Sequence, residues 1–424
     1  MRVAARHCAL AIAGICLTVS PRSASAHPAH GRVILQLSEA GERARLRGSL
    51  TLPQPRGGDV LSPRLEPLFP DADGDAARLF VLRFRADQAT RRSDLPGTND
   101  AWVEALRGSP LVLSVWSDEV FSVSDLPDDP FFLGAGGGPA QFHLWNPGAL
   151  SLQAARAWPF VPAHARVSVA IIDTGVNWMH PDLGGPSPPG GVLDVNVLEA
   201  SGIGEVDDDG NGYTDDRIGW DFVDLTDVVL GPGQTPAPGE DGFVPDADPS
   251  DQAGHGTQVA GLVNALTRNA FGIAGASPPA RLLPVRVGWR GADGGAYVLM
   301  SFCAQGLRYA AENGARVANC SWDSANLSGL GQQIAFAADT MDVVIVGSAG
   351  NDGTSSTAIQ FLAAHPSAIG VAGIEANGQK AVPSNFGSWV DLAAFYRGMP
   401  TTDFDFGSQT STIRVNPFGG TSFS

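Results

Sequence analysis

Three short stretches of this sequence carry residue types that can make and break bonds. Asp173-Thr174-Gly175 ends an apolar run, Val167 to Ile172. His255-Gly256-Thr257 opens a segment that continues Gln258-Val259-Ala260-Gly261. Gly420-Thr421-Ser422 stands just before the last residue given, Ser424. A serine hydroxyl is a weak nucleophile and needs a base within hydrogen-bond reach. Imidazole suits that task near neutrality. A buried carboxylate fixes the imidazole tautomer and stabilises the cation that forms. Asp173, His255 and Ser422 can fill these roles, in that chain order. A fourth group is Asn351, in Ser348-Ala349-Gly350-Asn351, after the apolar run Val343 to Gly347. An amide at such a strand end can donate to an oxyanion. Asp-Thr-Gly by itself also suits a pair of catalytic aspartates. That reading needs a second copy or a small dimerising chain, and the sequence offers neither.

These groups need elements that hold them. Val167 to Ile172 is nearly continuous in apolar residues, as a strand buried on both faces should be. Helical patterns at 255–267, 297–313 and 329–339 alternate with apolar runs at 281–287, 315–320, 342–347 and 368–373. That alternation predicts an α/β domain around a parallel sheet, over residues 126–424. The reactive groups then fall at strand ends and helix starts, where such folds carry their sites. Residues 27–125 read differently. A strand over Arg78–Phe84, a helix over Asn99–Leu106 and a strand pair over Leu111–Val123 predict a small α+β module. The Asp-, Pro- and Gly-rich stretch from Ser124 to Pro139 separates the two.

With these motifs in place, the sequence resembles the subtilisin-like serine peptidases, the subtilases. The resemblance covers most of 140–424. It rests on Ile171-Ile172-Asp173-Thr174-Gly175-Val176 with His180-Pro181-Asp182-Leu183, on Gly254 to Gly261, and on Gly347 to Asn351. Ser384-Asn385-Phe386-Gly387-Ser388-Trp389-Val390-Asp391-Leu392 and Gly420-Thr421-Ser422 complete it. It implies a seven-stranded parallel sheet flanked by helices, and endopeptidase activity through an acyl-enzyme. It implies that Asp173, His255 and Ser422 are catalytic and that Asn351 serves the oxyanion hole. It further implies that the N-terminal module is a propeptide that inhibits its own enzyme. Substrates would be proteins or peptides, held along Ser321-Trp322-Asp323, Ala349-Gly350 and the edge near Gly291–Gly295.

Departures from the family pattern are concentrated near the cleft. Asp323 stands where the family's glycine lets substrate backbone approach, and it should favour a basic substrate residue nearby. Phe395-Tyr396 replace Pro-Gly after the Asp391 segment. These changes leave a second reading, a non-catalytic relative that keeps the fold as a binding module. The resemblance also implies a buried helix after the nucleophile, whereas only Phe423 and Ser424 follow Ser422. Two residues cannot close a helical turn. The sequence is therefore expected to be part of a longer reading frame, inactive and prone to aggregate as it stands.

Asp207-Asp208-Asp209-Gly210-Asn211-Gly212 is a separate signal. Asp207, Asp209 and Asn211 fall at positions 1, 3 and 5 of a calcium loop, with Gly212 at 6, but position 12 falls on Ile218 rather than Glu. Half of such a loop is present, and Asp207, Asp209, Asn211 and Asp215 are candidate calcium ligands.

Composition bounds the rest. The chain has 424 residues with a net charge of −17, which disfavours nucleic acid and anionic membranes as partners. Arg2 and Arg6, the apolar run Cys8–Val19 and Ala24-Ser25-Ala26 predict a signal peptide over 1–26, too short to span a bilayer. The remaining chain should be exported, to the periplasm or beyond. Export permits a disulfide. Cys303 on a helix and Cys320 on the next strand are nevertheless too far apart for one, and are expected as two buried thiols. His143, His164 and His365 lack catalytic context and read as surface or packing residues.

Overall fold

The computed structural model describes residues 27–53, 60–67, 78–86, 98–120, 126–134, 141–146, 150–161, 166–185, 191–323, 329–355, 362–406, 408, 410–415 and 419–424. The expected signal peptide at 1–26 and His164 lie outside them. The chain divides into two compact units, one ending at Leu126 and the other running from Pro127 to Ser424.

The smaller unit contains β1 (His27–Leu37), α1 (Glu39–Leu46), β2 (Val60–Pro67), β3 (Leu79–Ala86), α2 (Thr98–Arg107) and β4 (Val112–Val120). Its antiparallel sheet has the order β2-β3-β1-β4. Val33, Leu35 and Leu37 recur at every second residue of β1 and are fully buried with Phe80, Leu82 and Leu106, the pattern of a strand with one face on a core. Ser38 starts α1, its Oγ accepting the Gly41 N–H at 3.1 Å. Of the strand pair expected over 111–123, the described part is one strand, β4, uninterrupted over Val112–Val120, and residues 121–123 lie outside the described residues. β1 and β2 were not anticipated.

The larger unit is built on β5 (Ser168–Asp173), β6 (Trp220–Asp221), α3 (His255–Asn264), β7 (Arg281–Arg286), β8 (Gly288–Arg290), β9 (Ala296–Val298) and α4 (Met300–Glu312). It continues with β10 (Val317–Cys320), α5 (Leu330–Ala335), β11 (Val344–Ser348), β12 (Ala368–Ile374), β13 (Leu392–Phe395), β14 (Pro400–Asp405) and β15 (Thr410–Val415). The seven-stranded sheet runs β13-β12-β11-β10-β5-β7-β6, and every pair is parallel. This is the subtilisin-like α/β architecture. β5 lies near its middle, and Ala170, Ile171 and Ile172 are wholly buried. Alternate residues serve the two faces. Ala170 and Ile172 meet Phe302, Cys303 and Leu307 of α4. Val169 and Ile171 meet Val259 and Ala260 of α3.

Pro284 sits inside β7, where a missing N–H would normally break the ladder. Leu282 donates on the β6 side, to Val192, so two residues on the missing donor faces that side as well. β6 begins to pair only at Val285, and the proline falls in the gap. Cys303 and Cys320 are buried and unbridged, as expected.

The hairpin of β14 and β15 covers α3. Thr402 Oγ1 donates to the Thr257 carbonyl at 2.6 Å, and Gln258 Nε2 donates to Asp403 at 2.9 Å. Gly261 is where they touch: a Cβ there would lie 2.1 Å from Thr402 Oγ1. His180 belongs to this frame rather than to chemistry. Its Nδ1 accepts the Asp182 N–H at 3.0 Å and its Nε2 meets the Thr412 carbonyl of β15 at 2.9 Å.

Candidate active site

Asp173 is the last residue of β5 and almost fully buried. Its Oδ1 lies 2.8 Å from His255 Nδ1 and also accepts the Thr174 N–H at 2.7 Å. His255 is the first residue of α3. Its side chain keeps 29% of its surface exposed while that of Asp173 keeps 2%, so the imidazole reaches solvent and its carboxylate partner does not. Burial opposes the charged ring, but the Asp173 charge, its hydrogen bond and the Asp251 charge together carry the His255 pKa above the ordinary value.

One residue that the sequence reading passed over ties these two together. Asp251 is a buried carboxylate. Its Oδ1 accepts Thr174 Oγ1 at 2.9 Å and the Ala253 and Gly254 N–H groups at 2.8 Å. Its Oδ2 accepts the Thr257 N–H at 2.9 Å and Thr257 Oγ1 at 2.6 Å. Thr174 Oγ1 in turn accepts the Gly256 N–H at 3.0 Å. Asp251 therefore fastens the start of α3, with its orphan N–H groups, to the end of β5. Gly256 permits the approach, since a Cβ there would stand 2.1 Å from the Gly175 carbonyl oxygen. The one signal was an acid four residues before His255.

Ser422 lies in a 3₁₀ turn, Thr421–Phe423. Its Oγ donates to the Ser321 carbonyl at 3.0 Å, and Ser321 Oγ donates to the Ser422 carbonyl at 2.8 Å. The His255 ring stacks at a tilt near the following residue, Phe423, with centroids 5.7 Å apart. Thr421 links the turn to Asn351. The Thr421 N–H donates to Asn351 Oδ1 at 2.9 Å, and the Gly350 N–H donates to Thr421 Oγ1 at 3.0 Å. With Oδ1 committed, Asn351 Nδ2 faces the other way as a donor. Behind Ser422 is a cavity of about 190 Å³ lined by His143, Val259, Val263, Phe395, Met399 and Phe423.

The five residues expected along the substrate behave differently from one another. Trp322 does not offer its ring: it is buried, and its Nε1 donates to the Ile172 carbonyl at 2.8 Å. The Trp322 carbonyl accepts Ser348 Oγ at 3.3 Å. Ser321 is bonded to Ser422 on both sides. Ala349 is buried, and its N–H donates to Val371 at 2.9 Å. Gly350 has φ +91°, which favours glycine there. Asp323 is exposed. Partial burial, then the nearby Asp352 charge, raise its pKa. The Gly291–Gly295 edge forms a tight turn whose outer side pairs with the chain's own 233–237 segment, Ala292 donating to Thr235 at 2.7 Å. Of the other histidines, His143 is buried packing and His365 is partly buried.

The acidic loop is rearranged relative to expectation. Asp207 accepts the Gly210 and Gly212 N–H groups at 2.8 Å, and Asp215 accepts the Glu205 N–H and Arg217 at 2.7 Å. Neither joins a carboxylate cluster among the described residues. Of the two carboxylate clusters among the described residues, one is Asp221, Asp241 and Asp246, and the one at this loop is Glu199, Asp209 and Asp216, with one oxygen of each within 4.8 Å of the others. Asn211 Nδ2 donates into it, to Asp209 at 3.2 Å and Asp216 at 2.9 Å. Glu199 sits on a helical turn, Val197–Ser201, ahead of the loop, which is why loop spacing did not reveal it.

Residues 164–424 match the subtilase family. The chain is 30% identical over 299 residues to a thermophilic serine proteinase of Bacillus sp. (strain AK1), covering 70% of this chain and 58% of that one. It is 32% identical over 290 residues to thermitase of Thermoactinomyces vulgaris, covering 67% of this chain and 80% of that one. A solved protease structure from Pseudoalteromonas arctica PAMC 21717 superposes with a TM-score of 0.51 at 26% identity, covering 71% of this chain and 84% of that one. By this family match and these likenesses, the chain belongs to the subtilase family.

Proposed function

We propose that this chain is an exported peptidase that cuts peptide bonds through Asp173, His255 and Ser422. The observation that carries the reading is the 2.8 Å contact of Asp173 with His255 Nδ1, on the same face as a turn that links Ser422 to Asn351. Rotation about the Ser422 side chain frees Oγ from the Ser321 carbonyl and turns it to His255 Nε2. Oγ then attacks the scissile carbonyl carbon as its proton passes to Nε2. The carbonyl oxygen becomes an oxyanion, held by Asn351 Nδ2 and the Ser422 N–H. The C–N bond breaks, the leaving amine takes the proton from His255, and an ester on Ser422 remains. Water, deprotonated by the same imidazole, releases the acid. Asp173 holds the ring and its charge throughout.

The substrate would lie extended along Ser321–Asp323 and Ala349–Gly350, with Asp323 the exposed carboxylate beside it. Residues 27–125 would serve as the prosegment, and 1–26 as the export signal. Calcium would be held by Glu199, Asp209 and Asp216, with Asn211 turning its amide oxygen inward. Hard oxygen donors around three clustered negative charges suit that ion. It would supply rigidity and no step of the reaction.

The test uses the full-length secreted protein. A fluorophosphonate should label it at Ser422, and Ser422→Ala should abolish labelling, casein hydrolysis and release of the prosegment. Asp323→Gly should erase any preference for Arg or Lys in a peptide library. A folded, unsubstituted protein that takes no label would favour the non-catalytic binding module instead.

A further inference from the structure

The segment Ser384–Leu392 belongs to no step above, yet one of its residues is bonded to both flanks of Asn351. Asn385 is wholly buried in the connection between β12 and β13. Its side-chain Oδ1 accepts the N–H groups of Asp352 and Thr354, each at 3.0 Å. Its Nδ2 donates to Asp352 Oδ2 at 3.3 Å. Its own N–H donates to the Gly350 carbonyl at 2.9 Å. Residues 350, 352 and 354 are thus all tied to one side chain and its backbone, and Asn351 is the residue between the ties. The neighbouring Phe386 N–H adds a further bond to the same loop, to the Thr354 carbonyl at 3.1 Å. Gly353 adds one bond of its own, from its N–H to the Pro383 carbonyl at 2.7 Å.

Asn385 is itself held. Ser384 Oγ donates to the Asn385 carbonyl at 3.0 Å and accepts the Gly373 N–H of β12 at 2.8 Å. Lys380, the chain's one lysine, donates from Nζ to the carbonyls of Ala381, Val382 and Ser384 at 2.7, 3.1 and 2.9 Å. An ammonium saturated by three carbonyls fixes this turn to the sheet. A chain of bonds therefore runs from β12 through Ser384 and Asn385 to the loop of Asn351.

We propose that Asn385 is a positioning residue for the oxyanion donor. It sets the main chain on both sides of Asn351, while Thr421 sets the amide itself, so Nδ2 is pre-aimed before charge develops. This rests on the catalytic reading of Asn351 and Ser422 given above. Losing an oxyanion donor of this kind costs about 10²–10³ in kcat. Losing its alignment should cost less.

In the full-length protein, with active sites counted by titration, Asn385→Ala should lower kcat by about tenfold to a hundredfold and leave KM within about twofold. In an Asn351→Ala background the same change should cost under about twofold, because there is no donor left to aim. Exchanging the pair, Asn385→Asp with Asp352→Asn, keeps an acceptor for both N–H groups and a donor opposite it, and should recover most of the lost kcat. This exchange carries the test if Asn385→Ala does not fold. Equal losses in both backgrounds, or a failed recovery in a folded exchange variant, would overturn the proposal. An Asn351→Ala protein as fast as the unsubstituted one would instead overturn the catalytic reading beneath it.

Discussion

In the proposed mechanism His255 must be neutral to accept the Ser422 proton, so its acidity would set the low-pH limit of turnover. Desolvation pulls its pKa down, while Asp173 and Asp251 push it up and win. kcat/KM should therefore fall as pH drops through a value above 6.5. Asp173→Asn should move that limb downward and cost about 10⁴ in rate, since tautomer and counter-charge go together. A rate profile with its limb at or below the ordinary imidazole value would contradict the Asp173–Asp251 field. The catalytic types were legible because each sits in its own tripeptide at a strand end or helix start. Asp251 was not, since its bond to Thr174 spans 77 residues and no local pattern announces it. Asn385 was visible only as part of a resemblance, with no role attached.

At the scale of elements, the acidic loop Asp207–Asp216 shows what spacing leaves out. Asp207 falls at the first position of a metal loop, and both it and Glu199 accept the loop's own N–H groups, but of these two only Glu199 lies in a carboxylate cluster among the described residues, with Asp209 and Asp216. Glu199 and Asp216 are buried, where clustered charge is costly without a counter-ion. Calcium should raise Tm, and chelator should lower it, by linkage to the folded state, about 2.7 kcal/mol at a hundredfold excess over Kd. Glu199→Gln and Asp216→Asn should erase the calcium increment, while Asp207→Asn should keep most of it. The opposite ranking in a melting series would restore the loop assignment. Strands β5, β11 and β12 were readable because burial leaves a nearly continuous apolar run, and β7 and β10 kept shorter apolar stretches within theirs. The β14–β15 hairpin was not readable. Its Pro400–Asp405 strand is rich in Thr and Asp, because Thr401 and Thr402 donate to α3 backbone carbonyls and Asp403 accepts the Gln258 side chain, instead of filling a core.

Across the whole molecule, the parallel sheet could be read from alternation, while the interior polar groups could not, and those groups shape the response to acid. His143 is buried, and neither ring nitrogen has a partner among the described residues. Burial drives its pKa down to about 3. In the unfolded chain the ring charges below about 6.5, while the folded chain keeps it neutral far lower. The unfolded state then binds the extra proton, so this group removes stability as pH falls from about 6.5 toward 3, by up to about 1.4 kcal/mol per pH unit. Asp182 works in the opposite sense. Burial raises its pKa to about 7, so its contribution is full in acid and is lost as pH rises toward that value. Because the two slopes oppose, the bare Tm profile does not identify either group. The difference between proteins does. His143→Leu should lose less Tm than the unsubstituted protein between pH 6.5 and pH 4, while Asp182 contributes equally to both. Parallel Tm curves for the two proteins would mean that His143 takes up its proton in the folded chain as readily as in the unfolded one.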